Sequence, residues 1–219
     1  MKSEIFLEFC KLSDPRYQDI RDRHYVENRG CHGQQLHFLV WYKGVICGII
    51  SGASSVYAVQ CRDDFFKIPK DKYLKQKFYL PAIINNVVFR LEDHTKNLAT
   101  CVLAKFRKLS IKLWRELYQV NVIGFETFVV EEDWRKGTLY LADNWKYLGQ
   151  TAGSTKSHKG LKSKSIRKTT CKKMVYAIAT NSKLSENPYK SCWRAESPEE
   201  KTEIKRLAKI RKNLIGRKF

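Results

Sequence analysis

Acidic residues are scarce in this chain. It has 22 Asp and Glu against 42 Lys and Arg, and a formal net charge of +20. An enzyme of neutral small molecules gains nothing from so large a self-repelling excess, so a polyanionic partner is the first expectation. The seven cysteines (Cys10, Cys31, Cys47, Cys61, Cys101, Cys171 and Cys192) include no CxxC pair, which speaks against a structural zinc site; their odd number speaks against a disulfide framework. Long apolar runs are missing as well. The longest, Val45 to Ile50, is far too short to cross a bilayer. Met1-Lys2-Ser3-Glu4 leads into no apolar signal core, so a cytoplasmic location is expected. No internal repeat is visible.

What remains is globular. With 219 residues, 43% of them hydrophobic, the chain can bury a real core. Its charge is uneven: residues 1–150 hold 23 basic and 17 acidic groups, residues 151–219 hold 19 and 5. The division predicts a mildly basic catalytic domain over 1–150 and a basic C-terminal extension over 151–219.

Along the chain, residues 3–29 read as an early helical patch with a turn at Ser13-Asp14-Pro15. Leu36–Trp41 and Val45–Ile50 form a hairpin around Lys43-Gly44, where a tight turn favours glycine. Ala53–Cys61 reads as a strand or irregular crossing, Lys67–Lys77 as loop or short helix, and Ile83–Leu91 as a buried strand. Asn97–Leu117 is the strongest helix, with Asn97 as cap and Leu98, Val102, Phe106 and Leu109 on one face. Val120–Val130 follows as a strand, then a turn-and-strand region at Thr138–Leu141 and Lys146–Leu148. Met174–Thr180 adds a strand, and Glu199–Ile215 a charged helix with an apolar stripe of Ile204, Leu207, Ile210 and Leu214. Strands flanking one dominant helix predict a mixed α/β sheet rather than a bundle or a barrel.

Several positions carry chemistry. Lys156, Lys159, Lys162, Lys164, Arg167, Lys168, Lys172 and Lys173 are interleaved with Ser and Thr, a composition suited to phosphate oxygens and so to nucleic acid. Trp134, Tyr140, Trp145 and Tyr147 offer rings on which a displaced base can stack, against the plainer reading of core packing. His24-Tyr25 ends a polar segment and can supply a general acid or base. Arg90, at the end of an apolar strand, needs a carboxylate or a ligand anion; Glu126 is the expected partner and, with His24, a candidate for removing a proton from an attacking amine. The segment 92–100 leads into a helix N-terminus, where a phosphate is favoured, although the glycines of a P-loop are absent.

These landmarks occur in a recognisable order. His24-Tyr25, WYKGVICGIISGAS, NNVVFRL, NLATCVLAKF, GFETFVV and RKGTLYLADNWKYLGQTAG resemble the DruA family of the Druantia anti-phage systems. More distantly they are similar to the phage Mom DNA-modification proteins, which share the HY pair, a strand-ending arginine, a Ser-containing helix start and a Y-x-A-x-N-W…G-x-T closure. The resemblance spans residues 16 to about 155. It implies a GNAT-like acyltransferase fold, with a mostly antiparallel sheet and one dominant helix, and an acyl-CoA such as acetyl-CoA as donor. The Mom reaction would be N6 modification of adenine in DNA, serving restriction evasion or phage defence. Positions carried over are His24, Tyr25, Arg90, Thr100 (serine in Mom-type sequences), Thr127 and Tyr140, with Asn97, Leu98, Ala99 and Thr100 facing the donor's pyrophosphate. Asn144 and Trp145 would join the basic run in holding DNA. Relatives carry aspartate at the end of the ETFV strand; here either Val130 or Glu131 occupies that place. The phosphate signature Q/R-x-x-G-x-G/A is also absent. Against this acyltransferase stand a non-catalytic DNA-binding or sensing component, and a peptide or small-molecule N-acetyltransferase that leaves the basic tail without a use.

Overall fold

The structure, a computed structural model, describes residues 4–25, 33–133, 135–151, 172–184 and 197–219. Seven strands form one sheet: β1 (Ile5–Cys10), β2 (Gln35–Tyr42), β3 (Val45–Ser54), β4 (Ile83–Leu91), β5 (Gly124–Val130), β6 (Lys146–Gln150) and β7 (Lys173–Ala179). Their order is β1-β2-β3-β4-β5-β7-β6, and every neighbouring pair is antiparallel except β4 with β5. The expected mixed, mostly antiparallel sheet with one dominant helix is what the chain builds.

That helix is α5 (Leu98–Tyr118), following α1 (Pro15–Asp22), α2 (Gln60–Phe65), α3 (Lys72–Leu74), a π turn at Lys75–Tyr79 and α4 (Leu80–Ala82). After it come α6 (Thr138–Ala142) and α7 (Pro198–Leu214). Leu98, Val102, Phe106, Leu113 and Leu117 turn one stripe of α5 onto the sheet, as 3–4-residue spacing requires. Phe106 there meets Phe38 and Phe125 edge-to-face. On the other face α1 lays Tyr17 and Ile20 against Leu39, Ile49 and Val88. The β2–β3 hairpin turns through Lys43 (φ 50°) and Gly44 (φ 81°), the two positive angles of a type I′ turn.

Three expectations change. Ile5–Cys10 is a strand instead of helix: four of its six residues in a row are buried between the partners of β2 and the two core layers. Thr138–Leu141 is helical, entered through Gly137 at φ 65°, where a Cβ would also lie 2.5 Å from the Tyr176 ring. The stretch expected as an extension from residue 151 is not set apart. β7 lies between β5 and β6, and α7 packs Leu207 and Leu214 inward. Beyond α7, Gly216 to Phe219 hydrogen-bonds along the outer edge of β1, with Leu7 and Phe9 as partners.

Candidate active site

The sheet opens where β4 and β5 part. They pair at only three positions: Ile83 with Gly124, Ile84 with Phe125 and Asn85 with Glu126. Beyond Asn85, β4 remains registered with β3 and β5 with β7, but not with each other. A bulge adds to the divergence. Ser51 faces Val88 while Gly52 faces Asn86, so Val87 is the extra residue. Since α5 follows from the C-terminal end of β4, its N-terminus lies at the open end of this split.

Asn86 organises the floor. It is 4% exposed. Its Nδ2 donates to the carbonyls of Ser51 (2.9 Å) and Val88 (3.1 Å), and its Oδ1 accepts from the Tyr140 hydroxyl at 2.9 Å. The Thr127 hydroxyl donates to the Asn86 carbonyl at 3.0 Å and lies 3.4 Å from Tyr140 Oη. Burial pushes the Tyr140 phenol well above its ordinary range; the Thr127 contact opposes this, and the nearby Tyr25 hydroxyl adds to it. Tyr140 is therefore a phenol at neutral pH and a fixed O–H donor.

Arg90 holds the rim. Its Nε donates to Glu92 Oε1 at 2.7 Å and its Nη1 to the Arg23 carbonyl at 2.5 Å. Arg23 in turn reaches Asp19 at 2.9 Å and Glu92 at 3.4 Å. The Arg90 contact holds the Glu92 carboxyl below its ordinary range. This fastens the segment carrying His24 and Tyr25 to the end of β4. From the loop after β5, the Arg135 guanidinium lies 3.4 Å over the Tyr25 ring, whose centroid is 4.4 Å from that of His24. Tyr25 thus links both arms of the split.

The structure brings together His24, Tyr25, Arg90, Thr127 and Tyr140, and corrects the expected role of Arg90. Its carboxylate is Glu92, two residues away, and not Glu126. Glu126 is fully buried on the opposite face from Thr127, where Arg62 Nη1 donates to its Oε2 at 2.9 Å. Arg62 is itself wholly buried and also reaches Asp63 (2.7 Å) and the Val56 carbonyl (2.7 Å); Lys75 completes the cluster on Asp63. Burial raises the Glu126 carboxyl, opposed chiefly by Arg62. Val130 is the last residue of β5, and Glu131 stands exposed just past it, accepting from Gln150 Nε2 at 2.7 Å.

Asn97 does not cap α5 as expected. Its φ is 64° and its side chain makes no capping bond. Leu98 is buried, Ala99 and Thr100 are half-buried, and the Thr100 hydroxyl bonds back to the Asn97 carbonyl at 3.0 Å. The first turn carries no acid; the Leu98 N–H donates to the Thr95 carbonyl at 3.0 Å, and the N–H groups of Ala99 and Thr100 with the helix dipole are what the turn offers an anion. Trp145 is also placed differently. It is 3% exposed, packed at 5.1 Å on Tyr140, and its indole N–H donates to Asp143 at 2.9 Å, which leaves no face for a base. Asn144 and Tyr147 beside it are exposed. Lys172 is exposed and Lys173 opens β7; Trp134, Lys156, Lys159, Lys162, Lys164, Arg167 and Lys168 lie outside the described residues.

Sequence reasoning missed Asn86, Arg62 and Arg135. Two adjacent asparagines inside IINNVVFRL were the available signal, since a buried strand keeps polar side chains only when they are bonded. Nothing local marks Arg62, whose partner is 64 residues away.

The family described as Druantia protein DruA matches residues 11–185, and the chain belongs to it. No curated protein matches the chain. Among solved structures, a Bacillus subtilis acetyltransferase in complex with CoA is 8% identical, with a TM-score of 0.48 over 80% of this chain and 99% of that one. The Campylobacter jejuni N-acetyltransferase PseH is 8% identical, with a TM-score of 0.43 over 80% and 98%. The microcin C7 self-immunity acetyltransferase MccE, in complex with acetyl-CoA and AMP, is 10% identical, with a TM-score of 0.42; it is covered over 61% of its length by 67% of this chain.

Proposed function

We propose that this member of the DruA family is an acyltransferase that modifies an amino group of a base in DNA, Mom-like in its chemistry. The observation that carries the reading is the split between β4 and β5, floored by the Asn86–Thr127–Tyr140 network, with an uncapped helix N-terminus at its mouth. An acyl-CoA fits this arrangement. The acid-free first turn of α5, at Ala99 and Thr100, would hold its phosphates, and the β4 edge past Asn86, which β5 has left, would receive its extended arm. When bound, such a donor supplies a thioester carbonyl for attack by an amine.

The chain's own groups do the rest. Tyr140, kept protonated by burial, can turn its O–H from Asn86 Oδ1 to hydrogen-bond the developing oxyanion, the thiolate departing as the anion. Asn86 and Thr127 hold that hydroxyl in place. His24, half-buried at the rim, is the imidazole of this group and its candidate base. Glu126 faces away and serves the buried ion cluster instead. Arg90 positions the His24-Tyr25 segment through the Arg23 carbonyl. A base inside a duplex must be extruded to reach the split; the exposed Tyr25 is the ring at its entrance. The Lys156–Lys173 run would hold the DNA backbone, and the net charge of +20 supports a polyanionic substrate.

The test is nucleoside mass spectrometry of DNA from cells expressing the protein, with calorimetric titration of acetyl-CoA into the purified chain. A base carrying an added acyl-derived mass, and saturable CoA binding, are expected. Unmodified DNA together with no CoA binding would leave the non-catalytic DNA-binding component as the reading.

A further inference from the structure

The four lysines Lys201, Lys205, Lys209 and Lys212 of α7 are all exposed. At 100° per residue they fall within an arc of about 80° of the helix, roughly opposite the inward stripe of Ile204, Leu207, Ile210 and Leu214. No acidic side chain among the described residues shares that arc. Glu203 is turned to Gln119 and Arg206, and Arg211 is turned inward to Tyr118 and the Gln35 carbonyl. None of the four ammonium groups makes an ion pair with a described residue. Like charges four apart on a helix repel, so the stripe weakens α7 with no gain inside the fold.

We propose that this stripe is a docking surface for the sugar–phosphate backbone of a double-stranded polynucleotide, separate from the split. Charge complementarity selects the partner. Lys201 to Lys212 spans about 16 Å, and phosphates of one strand advance about 3.4 Å per nucleotide along the duplex axis, so the stripe matches roughly five of them. A membrane surface is disfavoured, because Leu207 and Leu214 of α7 are buried and the lysine arc itself carries no apolar side chain to insert. An acidic protein is disfavoured as well, because the arc holds no aromatic or aliphatic anchor. The surface lies by the C-terminal end of α5, which Gln119, Tyr118 and their partners mark, on the order of 30 Å along that helix from its N-terminus. It therefore contributes affinity rather than chemistry, and it stands whether or not the chain transfers acyl groups.

Fluorescence anisotropy of a labelled 30-bp duplex DNA, titrated with the full-length protein from 50 to 300 mM KCl, tests the proposal. The Lys201→Gln/Lys205→Gln/Lys209→Gln/Lys212→Gln variant keeps good helix formers in place. Its slope of log affinity against log salt should be shallower by about two to four, near 0.9 per lost phosphate contact, with circular dichroism unchanged. A matched variant, Lys67→Gln/Lys70→Gln/Lys72→Gln/Lys77→Gln, removes equal charge from the β3–β4 connection and should alter the slope by less than half as much. An unchanged slope in the α7 variant, or equal changes in the two, overturns the proposal. So does binding of the unmutated protein to a polyglutamate chain as tight as to the duplex.

Discussion

Acidification from pH 7.5 to 5 should destabilise this protein through one buried imidazole. His37 is 1% exposed, with Nδ1 at 2.9 Å from Ser51 Oγ and Nε2 at 3.0 Å from Gln35 Oε1; Tyr17 stacks edge-on at 5.4 Å and also bonds Ser51. Burial, with the Arg211 charge as a lesser cause, lowers its pKa from the ordinary 6.5 to about 4. A lowered histidine pKa means the unfolded chain binds more protons between those values. The contribution is thus complete above pH 6.5 and is lost as pH falls toward 4. At pH 5 the unfolded imidazole is almost fully charged and the folded one mostly neutral, which gives a loss of about 2 kcal/mol relative to pH 7.5, and about 3 kcal/mol over the full span. Urea denaturation followed by tryptophan fluorescence at pH 7.5, 6 and 5 reads this directly. His37→Asn loses stability at every pH, because it forfeits the Gln35 contact, but should lose about 2 kcal/mol less than the parent on going to pH 5. Parallel losses in the two proteins would refute the reasoning, since other carboxylates and histidines are common to both.

The remaining predictions concern the site and its supports. Arg62→Met should cost about 3 to 5 kcal/mol by leaving Glu126 buried and unpaired, and Arg62→Met/Glu126→Leu should recover most of it; thermal melts of the two variants compare them, and a single variant within 1 kcal/mol of the parent contradicts the pairing. Tyr140→Phe should lower turnover about 10² to 10⁴-fold with little change in KM, and should cost about 1 to 3 kcal/mol because Asn86 Oδ1 loses its donor. Ala99→Asp places a carboxylate in the first turn of α5. Calorimetry should show CoA affinity falling at least tenfold, while the melting temperature holds or rises, because an acid at a helix N-terminus contributes about 0.3 to 1 kcal/mol.

The parts of this architecture that local pattern dictates were legible from residue order. The β2–β3 turn follows from Lys43-Gly44, β4 from a β-branched apolar run interrupted by Asn85-Asn86, and α5 from apolar residues three and four apart. Ile5–Cys10 was not legible, because IFLEFC is as compatible with a buried helix turn as with a strand; only pairing to β2 decides. The same holds for the site. His24, Tyr25, Arg90, Thr127 and Tyr140 were named from the sequence, and they do converge. Their contacts could not be, because Arg90 takes a carboxylate two residues away and a carbonyl 67 residues away, while Glu126 takes Arg62 from a separate connection. Trp145 shows the limit from the other side: its motif marks a fixed position, but burial decides that the ring packs on Tyr140 instead of meeting solvent.

The position of β7 between β5 and β6 has a consequence for how the protein is made. β6 pairs only with β7 among the described strands, and Gly216 to Phe219 complete the edge of β1 from some two hundred residues away. On the ribosome, β1 to β4 and α5 can therefore dock early, while β5, held only by its three positions on β4, and β6, with no partner yet made, wait for a strand not yet translated. Such late closure lengthens the period in which sticky backbone is open to neighbouring nascent chains. A chain truncated after residue 170 and released should accordingly be cut within 124–150 in pulse proteolysis, and the full chain should resist.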